Sequence, residues 1–239
     1  MLAVENILIL GSAPDAPIIK DWSLEPFSSL IVINNAWKIR SDWTHNIFPT
    51  DFPLEKRPKP TDQQFLISAD KYVAIQNSYG GFVYAGGTMA ITAAYWALAT
   101  FKPTNIFFLG CDMVYGKGKT HFYGVGAADP LRKDISLRSL EAKSARFECF
   151  ANLIGSNVYN LSEEKESRLV YRRKNISSLN TASTDRPRKI NKGKMEQTLK
   201  FEKKLNYFIA DGKYWKHEDT FDTEEIDKLD RLWLQCLGN

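Results

Sequence analysis

The chain has 239 residues, of which 44% are hydrophobic and 13% aromatic, which is enough apolar material for a substantial core. A net charge of only +4 argues against a nucleic-acid partner, and no apolar run approaches the roughly 20 residues that a membrane span needs. The first residues lack the pattern of a signal peptide, and three scattered cysteines predict a reducing, cytoplasmic environment.

The net charge conceals an uneven distribution along the chain. Residues 168–204 contain twelve Lys and Arg against three Asp and Glu, whereas residues 205–239 contain four against eight. The residues before position 163 are nearly neutral. This shift in composition predicts an α/β domain over residues 1–162 and a basic C-terminal extension with one or two helices over residues 163–239.

Four short apolar runs are each followed at once by small or polar residues. The runs are 6–10, 30–33, 46–48 and 105–109. Continuous apolar and β-branched runs of this length are typical of strands that are buried on both faces of a parallel sheet. An alanine-rich segment over residues 88–101, closed by Lys102 and Pro103, predicts a helix that leads directly into the fourth run. The pattern predicts a Rossmann-like, mostly parallel sheet flanked by helices.

The remaining segments predict further elements with weaker patterns. Within the α/β domain we expect a short helix over 16–22, a strand near 72–75, a helix over 136–153 and a last strand over 157–161. In the C-terminal extension we expect amphipathic helices over 196–208 and 222–236, and exposed, mobile basic clusters at 172–174 and 186–189.

The polar residues after the four runs predict one common site. In open α/β sheets the ligand crevice lies beyond the carboxyl ends of the strands. The residues at these ends are Gly11, Ser12 and Ala13, then Asn34 and Asn35, then Thr50 and Asp51, and finally Asp112. Free amides of a glycine turn can approach a phosphate, carboxamides can bind a base or ribose, and a carboxylate can hold a ribose hydroxyl or a cation. Ordinary turns and helix caps are the alternative interpretation of each group.

A second glycine pair precedes the predicted helix over 88–101. Gly86, Gly87 and Thr88 would supply an anion-binding helix N-terminus, or would allow the helix to pack closely on the sheet.

A long connection over residues 115–134 follows the fourth run. Loops of this length at a strand's carboxyl end are usually lids or binding loops. His121 lies within it and is the histidine best placed for acid–base chemistry, while His45 is expected to pack near a strand start. Arg132 could pair with a phosphate through its planar guanidinium, or could belong to a helix-entry turn.

In their order along the chain these motifs resemble the bacterial sialyltransferases of glycosyltransferase family 42. They also resemble broader Rossmann-like relatives that include archaeal-type hydroxymethylpterin pyrophosphokinases. The resemblance covers about residues 5–162 and rests on four motifs. They are residues 11–15, Asn35-Ala36-Trp37, Gly86-Gly87-Thr88 and residues 109–115.

The resemblance implies a CMP-activated sugar in the crevice and no metal-binding DxD motif. It implies that Gly11, Ser12 and Asn35 contact the donor, and that Gly87 and Thr88 line the ribose-phosphate side. Two tyrosines, Tyr115 and Tyr123, would support the departing phosphate. The family's asparagine after the third strand is replaced here by Thr50-Asp51, and its catalytic histidine lies nearer the following helix than His121 does.

The leading hypothesis is a metal-independent, sialyltransferase-like enzyme that requires no cofactor. It would transfer an acidic sugar from a CMP-sugar donor to a glycan or glycolipid acceptor, with His121 as base and Tyr115, Tyr123 and Arg132 at the leaving phosphate. One alternative is a phosphotransferase that binds Mg-ATP through Asp51 and Asp112. Another is a nucleotide-binding protein without catalysis.

The basic residues 168–204 predict peripheral contact with anionic lipid at the inner membrane face, or with an acidic glycan. A solvated tail is the alternative, and assembly into a homo-oligomer is left open.

Overall fold

The computed structural model describes residues 5–115, 118–126, 133–179 and 187–238. Within these ranges seven strands form one sheet, and every strand pairing is parallel. The strands are β1 (Asn6–Leu10), β2 (Ser29–Ile33), β3 (His45–Ile47), β4 (Phe65–Ile67), β5 (Asn105–Leu109), β6 (Asn157–Asn160) and β7 (Arg172–Arg173). Their order in the sheet is β4-β3-β2-β1-β5-β6-β7. The predicted α/β class with a Rossmann-like sheet is confirmed.

Six α-helices occur in the described ranges. They are α1 (Ala69–Ser78), α2 (Phe82–Ala85), α3 (Met89–Phe101), α4 (Leu140–Leu153), α5 (Lys192–Leu205) and α6 (Thr223–Leu234). Short 3₁₀ turns include Ala16–Asp21, close to the helix predicted there, and Asn34–Lys38 after β2. Among the described helices, none combines the length and apolar character that a bilayer crossing requires.

The central strands are buried on both faces, as their uninterrupted apolar sequences predict. In β1, Ile7 and Ile9 pack into the core on the α3 side of the sheet, while Leu8 and Leu10 pack into the core on the opposite side. Alternation of side chains along a strand sends successive residues to opposite faces. A strand that is apolar at every position therefore requires cover on both sides.

The strand predicted near residues 72–75 is wrong, because these residues lie inside α1. The strand of this region is β4, a few residues earlier. Tyr72 and Gln76, four residues apart, are both buried. This helical spacing outweighs the local strand propensity of Val73 and Ile75.

Several predicted boundaries also change. α4 begins at Leu140 instead of 136, because the Ser139 hydroxyl accepts a hydrogen bond from the amide of Ala142 (3.1 Å) and caps the helix there. α5 begins at Lys192 instead of 196, after the side chain of Asn191 caps it. The strand predicted as the last one is followed by β7.

The cluster at residues 172–174, predicted to be exposed and mobile, instead contributes β7. Arg172 and Arg173 pair with β6, which extends the sheet beyond residue 162. The Arg172 guanidinium lies 5.1 Å from the ring centroid of Tyr159, and Arg188 forms a 3.1 Å ion pair with Glu148. Arg186 lies outside the described residues. The lysines of α5 are exposed, and their contact with lipid or glycan remains a prediction.

A buried arginine joins the C-terminal helices to the sheet domain. Arg146 of α4 is 1% exposed, and its Nε and Nη2 donate to the two carboxylate oxygens of Glu202 in α5, at 2.7 and 2.9 Å. Its Nη1 donates to the hydroxyl of Tyr95 (2.8 Å), and Trp233 of α6 donates its indole N–H to Glu202 (2.7 Å). One ion pair therefore contacts α3, α4, α5 and α6.

A second buried ion pair connects α4 with α6. Lys143 Nζ lies 2.8 Å from an oxygen of Asp230, and the two side chains are 1% and 4% exposed. The helices beyond residue 190 are therefore held against α4 by buried ion pairs, through Glu202 of α5 and Asp230 of α6.

We expect Glu202→Gln to lower the free energy of unfolding by about 3–5 kcal/mol, because it leaves the buried Arg146 charge without its counter-ion. Urea denaturation of the purified protein measures this change. Glu196→Gln is the matched control, since Glu196 pairs with Lys200 on the exposed side of the same helix. Equal stability of the two variants would contradict a central role for Arg146.

Candidate functional site

The candidate site lies where the sheet order reverses, between β1 and β5. The chain passes from β1 to β2 on one side of this pair, and from β5 to β6 on the other. Connections that diverge in this way leave a crevice at the carboxyl ends of the two strands. Gly11 and Gly110 allow the two turns to approach closely, because a Cβ on Gly11 would lie 2.1 Å from the Gly110 carbonyl oxygen. The structure therefore brings the residues after β1 and β5 together, as predicted.

Two carboxylates, Asp15 and Asp112, lie near each other in the wall of this crevice. Asp112, which is 4% exposed, accepts a 2.8 Å hydrogen bond on Oδ1 from the side chain of Asn160. Asp15 accepts a 3.1 Å hydrogen bond on Oδ2 from the hydroxyl of Ser162. The other oxygen of each carboxylate, Asp15 Oδ1 and Asp112 Oδ2, is buried and has no hydrogen-bond partner among the described residues.

Burial and the neighbouring Asp112 charge raise the pKa of Asp15 above its ordinary value. Both carboxylates line a cavity of about 310 Å³ together with Ala13, Glu164 and Lys165. The arrangement is a small pocket with two inward-facing hydrogen-bond acceptors.

A second group of acceptors lies at the end of β2, next to β1. Asn34 adopts a left-handed backbone conformation (φ 50°) and begins the 3₁₀ turn after the strand. The side-chain oxygens of Asn34 and Asn35 are buried and lack hydrogen-bond partners within the described part of the chain. These carboxamides can accept hydrogen bonds from amino or hydroxyl groups of a ligand.

The long loop carries a cluster of three aromatic rings. His121 stacks on Tyr123 at a centroid distance of 5.0 Å, and Tyr115 lies 6.2 Å from the imidazole. The amide of Phe122 donates to the carbonyl of Ser12 (3.0 Å), which ties this part of the loop to the turn after β1. The predicted site residues Tyr115, His121 and Tyr123 are thus adjacent to one another and to the crevice.

His121 is suited to act as a base. Burial lowers its pKa below the ordinary value, so the imidazole is neutral at pH 7. Its Nδ1 lies 2.9 Å from the hydroxyl of Thr120, which also accepts a hydrogen bond from the amide of Gly126 (3.1 Å). In the tautomer that donates Nδ1–H to Thr120, Nε2 retains its lone pair.

His45 has a structural environment, as expected. It begins β3 and packs against Phe65, Trp96 and Phe101, and burial lowers its pKa to about 4.

Side chains from other parts of the molecule fill the space beside the glycine pair that precedes α3. A Cβ on Gly87 would lie 2.4 Å from the Ser136 hydroxyl and 2.5 Å from the Tyr214 hydroxyl. Gly86 is buried against the side chain of Lys143. Thr88 caps α3 by accepting from the amide of Ile91 (3.3 Å). The side chains close to this motif come from Ser136, Lys143 and Tyr214, which lie outside the sheet, and anion binding at this helix N-terminus stays a prediction.

Thr50 and Asp51 are exposed after β3 and lie apart from the crevice. Since β2 and β1 lie between β3 and β5, the ends of β3 and β5 are separated by three strand spacings, or about 14 Å. Asp51 is not among the residues that line the cavity with Asp112, and a Mg²⁺ site shared by these two residues, as in the phosphotransferase alternative, stays a prediction.

Arg132 lies outside the described residues. The described ranges contain no group of three or more His, Cys, Asp or Glu side chains arranged to hold a metal ion.

The predicted set of site residues missed Asp15, Asn160 and Ser162. Asn160 ends β6 and Ser162 follows it, so the rule applied to the other strand ends would have found them. Asp15 was visible in the turn after β1, but nothing in the sequence indicated that it faces Asp112.

No protein-family model, curated protein or solved structure matches the chain.

We expect Asp15→Asn to raise the Tm at pH 7 by about 2 °C, because it removes a buried charge that faces Asp112. The raised pKa means that the native state loses stability as the pH rises through it. Below the ordinary Asp pKa of about 3.9 both states are protonated, and the difference from wild type should vanish.

Differential scanning calorimetry across a pH series measures this effect. Asp21→Asn, on the exposed surface of the same turn, is the matched control and should leave the Tm unchanged. A lower Tm for Asp15→Asn at pH 7 would contradict repulsion between the two carboxylates.

Proposed function

We propose that this protein is a glycosyltransferase that moves an acidic, sialic-acid-like sugar from a CMP-activated donor to a hydroxyl of a glycan or glycolipid. The observation that carries the proposal is the cluster of Tyr115, His121 and Tyr123 at the edge of the crevice. The hydrogen bond from Phe122 to Ser12 ties this cluster to the turn after β1. A neutral imidazole and two phenols therefore lie beside the region where a parallel sheet binds its ligand.

The end of β2 supports recognition of the nucleotide. The buried side-chain oxygens of Asn34 and Asn35 have no protein donor among the described residues. A buried acceptor without a partner is costly, so a ligand that brings amino or hydroxyl donors gains affinity there. Cytidine carries both kinds of donor, and under this proposal its polar edges face these carboxamides.

The reaction follows from the aromatic cluster. The acceptor oxygen attacks the anomeric carbon, the bond from that carbon to the phosphate oxygen breaks, and CMP leaves with the electron pair. His121 Nε2 takes the proton of the acceptor hydroxyl. Burial raises the pKa of Tyr115 to about 12, so its phenol stays protonated and can donate to the departing phosphate. Tyr123 and Arg132 are proposed to assist there.

One observation favours a second candidate function. Asp15 and Asp112 line the same cavity, and one buried oxygen of each carboxylate has no hydrogen-bond partner among the described residues. Mg²⁺ is commonly bound by one or two carboxylates together with substrate phosphates. A phosphotransferase that uses Mg-ATP would therefore use Asp15 with Asp112, in place of Asp51 with Asp112.

We expect CMP to bind in the presence of EDTA, and we expect Asn35→Ala to weaken binding about tenfold through loss of a single buried hydrogen bond. Isothermal titration calorimetry with CMP, and with ATP plus Mg²⁺, measures both affinities. Gln63→Ala removes an exposed carboxamide before β4 and is the control.

Binding of ATP alone, abolished by EDTA, would favour the phosphotransferase. Equal CMP affinity of wild type and Asn35→Ala would remove Asn35 from the site. CMP binding without turnover of a CMP-sugar would favour a nucleotide-binding protein.

We expect His121→Ala to lower turnover of CMP-N-acetylneuraminic acid by about 10²–10⁴-fold while leaving its KM nearly unchanged, which is the range for loss of a positioned base. Release of CMP, with water as acceptor, provides the assay. His217→Ala, an exposed histidine near the C-terminal helices, is the control and should retain full activity. Full activity of His121→Ala would exclude His121 as the base.

A further inference from the structure

The cavity between β1 and β5 contains an acidic pair that the proposed reaction does not use. Asp15 and Asp112 line it, and its volume of about 310 Å³ lies at the lower end of the range for small-ligand pockets. Asp112 is 4% exposed, and its Oδ2 lacks a hydrogen-bond donor anywhere in the described residues. A buried carboxylate in the wall of a cavity, with no protein donor for one of its oxygens, is a candidate acceptor for a hydrogen bond from a ligand.

The protein orients both carboxylates through their other oxygens. Asn160 donates to Asp112 Oδ1 (2.8 Å), and Ser162 donates to Asp15 Oδ2 (3.1 Å). Both donors come from the end of β6, so one rigid element holds both acceptors. The two remaining oxygens form a preorganised pair that requires two donors.

The acidic lining of the cavity restricts the kind of chemical group that can bind there. Asp15, Asp112, Glu164 and Glu166 line it, and Lys165 is the one basic residue among its lining residues. Four carboxylates against one ammonium repel a phosphate. A ligand group that is neutral and rich in hydroxyl donors fits this environment.

A second candidate position for a ribose, beside Gly87, is already filled by protein side chains. The space beside Gly87, which the family resemblance assigns to the ribose-phosphate side, is occupied by the hydroxyls of Ser136 and Tyr214. These two groups also hydrogen-bond each other at 3.0 Å. A ribose would have to displace this buried contact, whereas the cavity at Asp15 and Asp112 is open.

We propose that Asp15 and Asp112 together accept hydrogen bonds from the 2′- and 3′-hydroxyls of the ribose of the bound nucleotide. This inference rests on the proposed function to the extent that the ligand is a ribonucleotide. The vicinal diol supplies two donors on adjacent carbons, one for each of the two unpartnered carboxylates that line the cavity. The base then extends toward β2, where Asn34 and Asn35 lie.

The test compares ribose with deoxyribose by isothermal titration calorimetry in EDTA. Wild type is titrated with CMP, 2′-deoxy-CMP and 3′-deoxy-CMP, and each deoxynucleotide should bind at least about tenfold more weakly. In Asp15→Asn and Asp112→Asn this preference should fall to about threefold or less, mainly through weaker binding of CMP. Glu163→Gln, an exposed carboxylate next to Ser162, is the control and should keep the full preference.

Equal affinities of wild type for CMP and both deoxynucleotides would overturn the ribose assignment and leave nucleotide binding intact. If CMP and both deoxynucleotides fail to bind, the proposed function fails, and the ribose assignment that rests on it is overturned as well. Terbium luminescence of the nucleotide-free protein, abolished in both Asp variants, would instead identify a cation site and overturn the proposal. Because Asp15→Asn is expected to be stabilising, its folding does not limit the test.

Discussion

The pairing of β1 with β5 is the constraint on which the site depends. These two strands run side by side over their full length, yet the chain leaves them toward opposite halves of the sheet. Two turns must therefore start next to each other, and Gly11 and Gly110 provide the close approach that a side chain would prevent. The crevice, the acidic pair and the attachment of the His121 loop all follow from this local divergence.

The Arg146–Glu202 ion pair is the second organising contact. Its desolvation is compensated by the hydrogen bond that Arg146 donates to Tyr95, by the one that Trp233 donates to Glu202, and by the aromatic rings around the guanidinium. The charge-rich C-terminal segment is consequently packed against α4, while its lysines point outward. The charge pattern of the sequence did not distinguish buried cations, such as Arg146, from the exposed lysines of α5, because Lys and Arg occur in both environments.

The predicted functional residues differ in how completely the protein itself supplies their contacts. Thr88 caps α3, and His45 packs against aromatic rings at the start of β3. In contrast, the carboxylates of Asp15 and Asp112 and the carboxamides of Asn34 and Asn35 each retain a buried acceptor without a donor in the described chain. Other buried oxygens among the described residues, such as those of Gln76 and Asp230, also have no partner, so it is their place in the cavity wall that distinguishes Asp15 and Asp112.

The sequence alone determined the parallel sheet, because strands buried on both faces must be apolar at every position, and it predicted that the residues after β1, β2, β3 and β5 would lie at one edge. It also determined α3 through its alanine content and the proline that follows. Tertiary structure decided the rest. Residues 72–75 became helix because their burial follows helical spacing, and β7 formed because β6 offered an open edge. Asp15 lies near Asp112, about 97 positions away in the sequence, and Arg146 forms an ion pair with Glu202, about 56 positions away. No local sequence pattern encodes contacts over such separations.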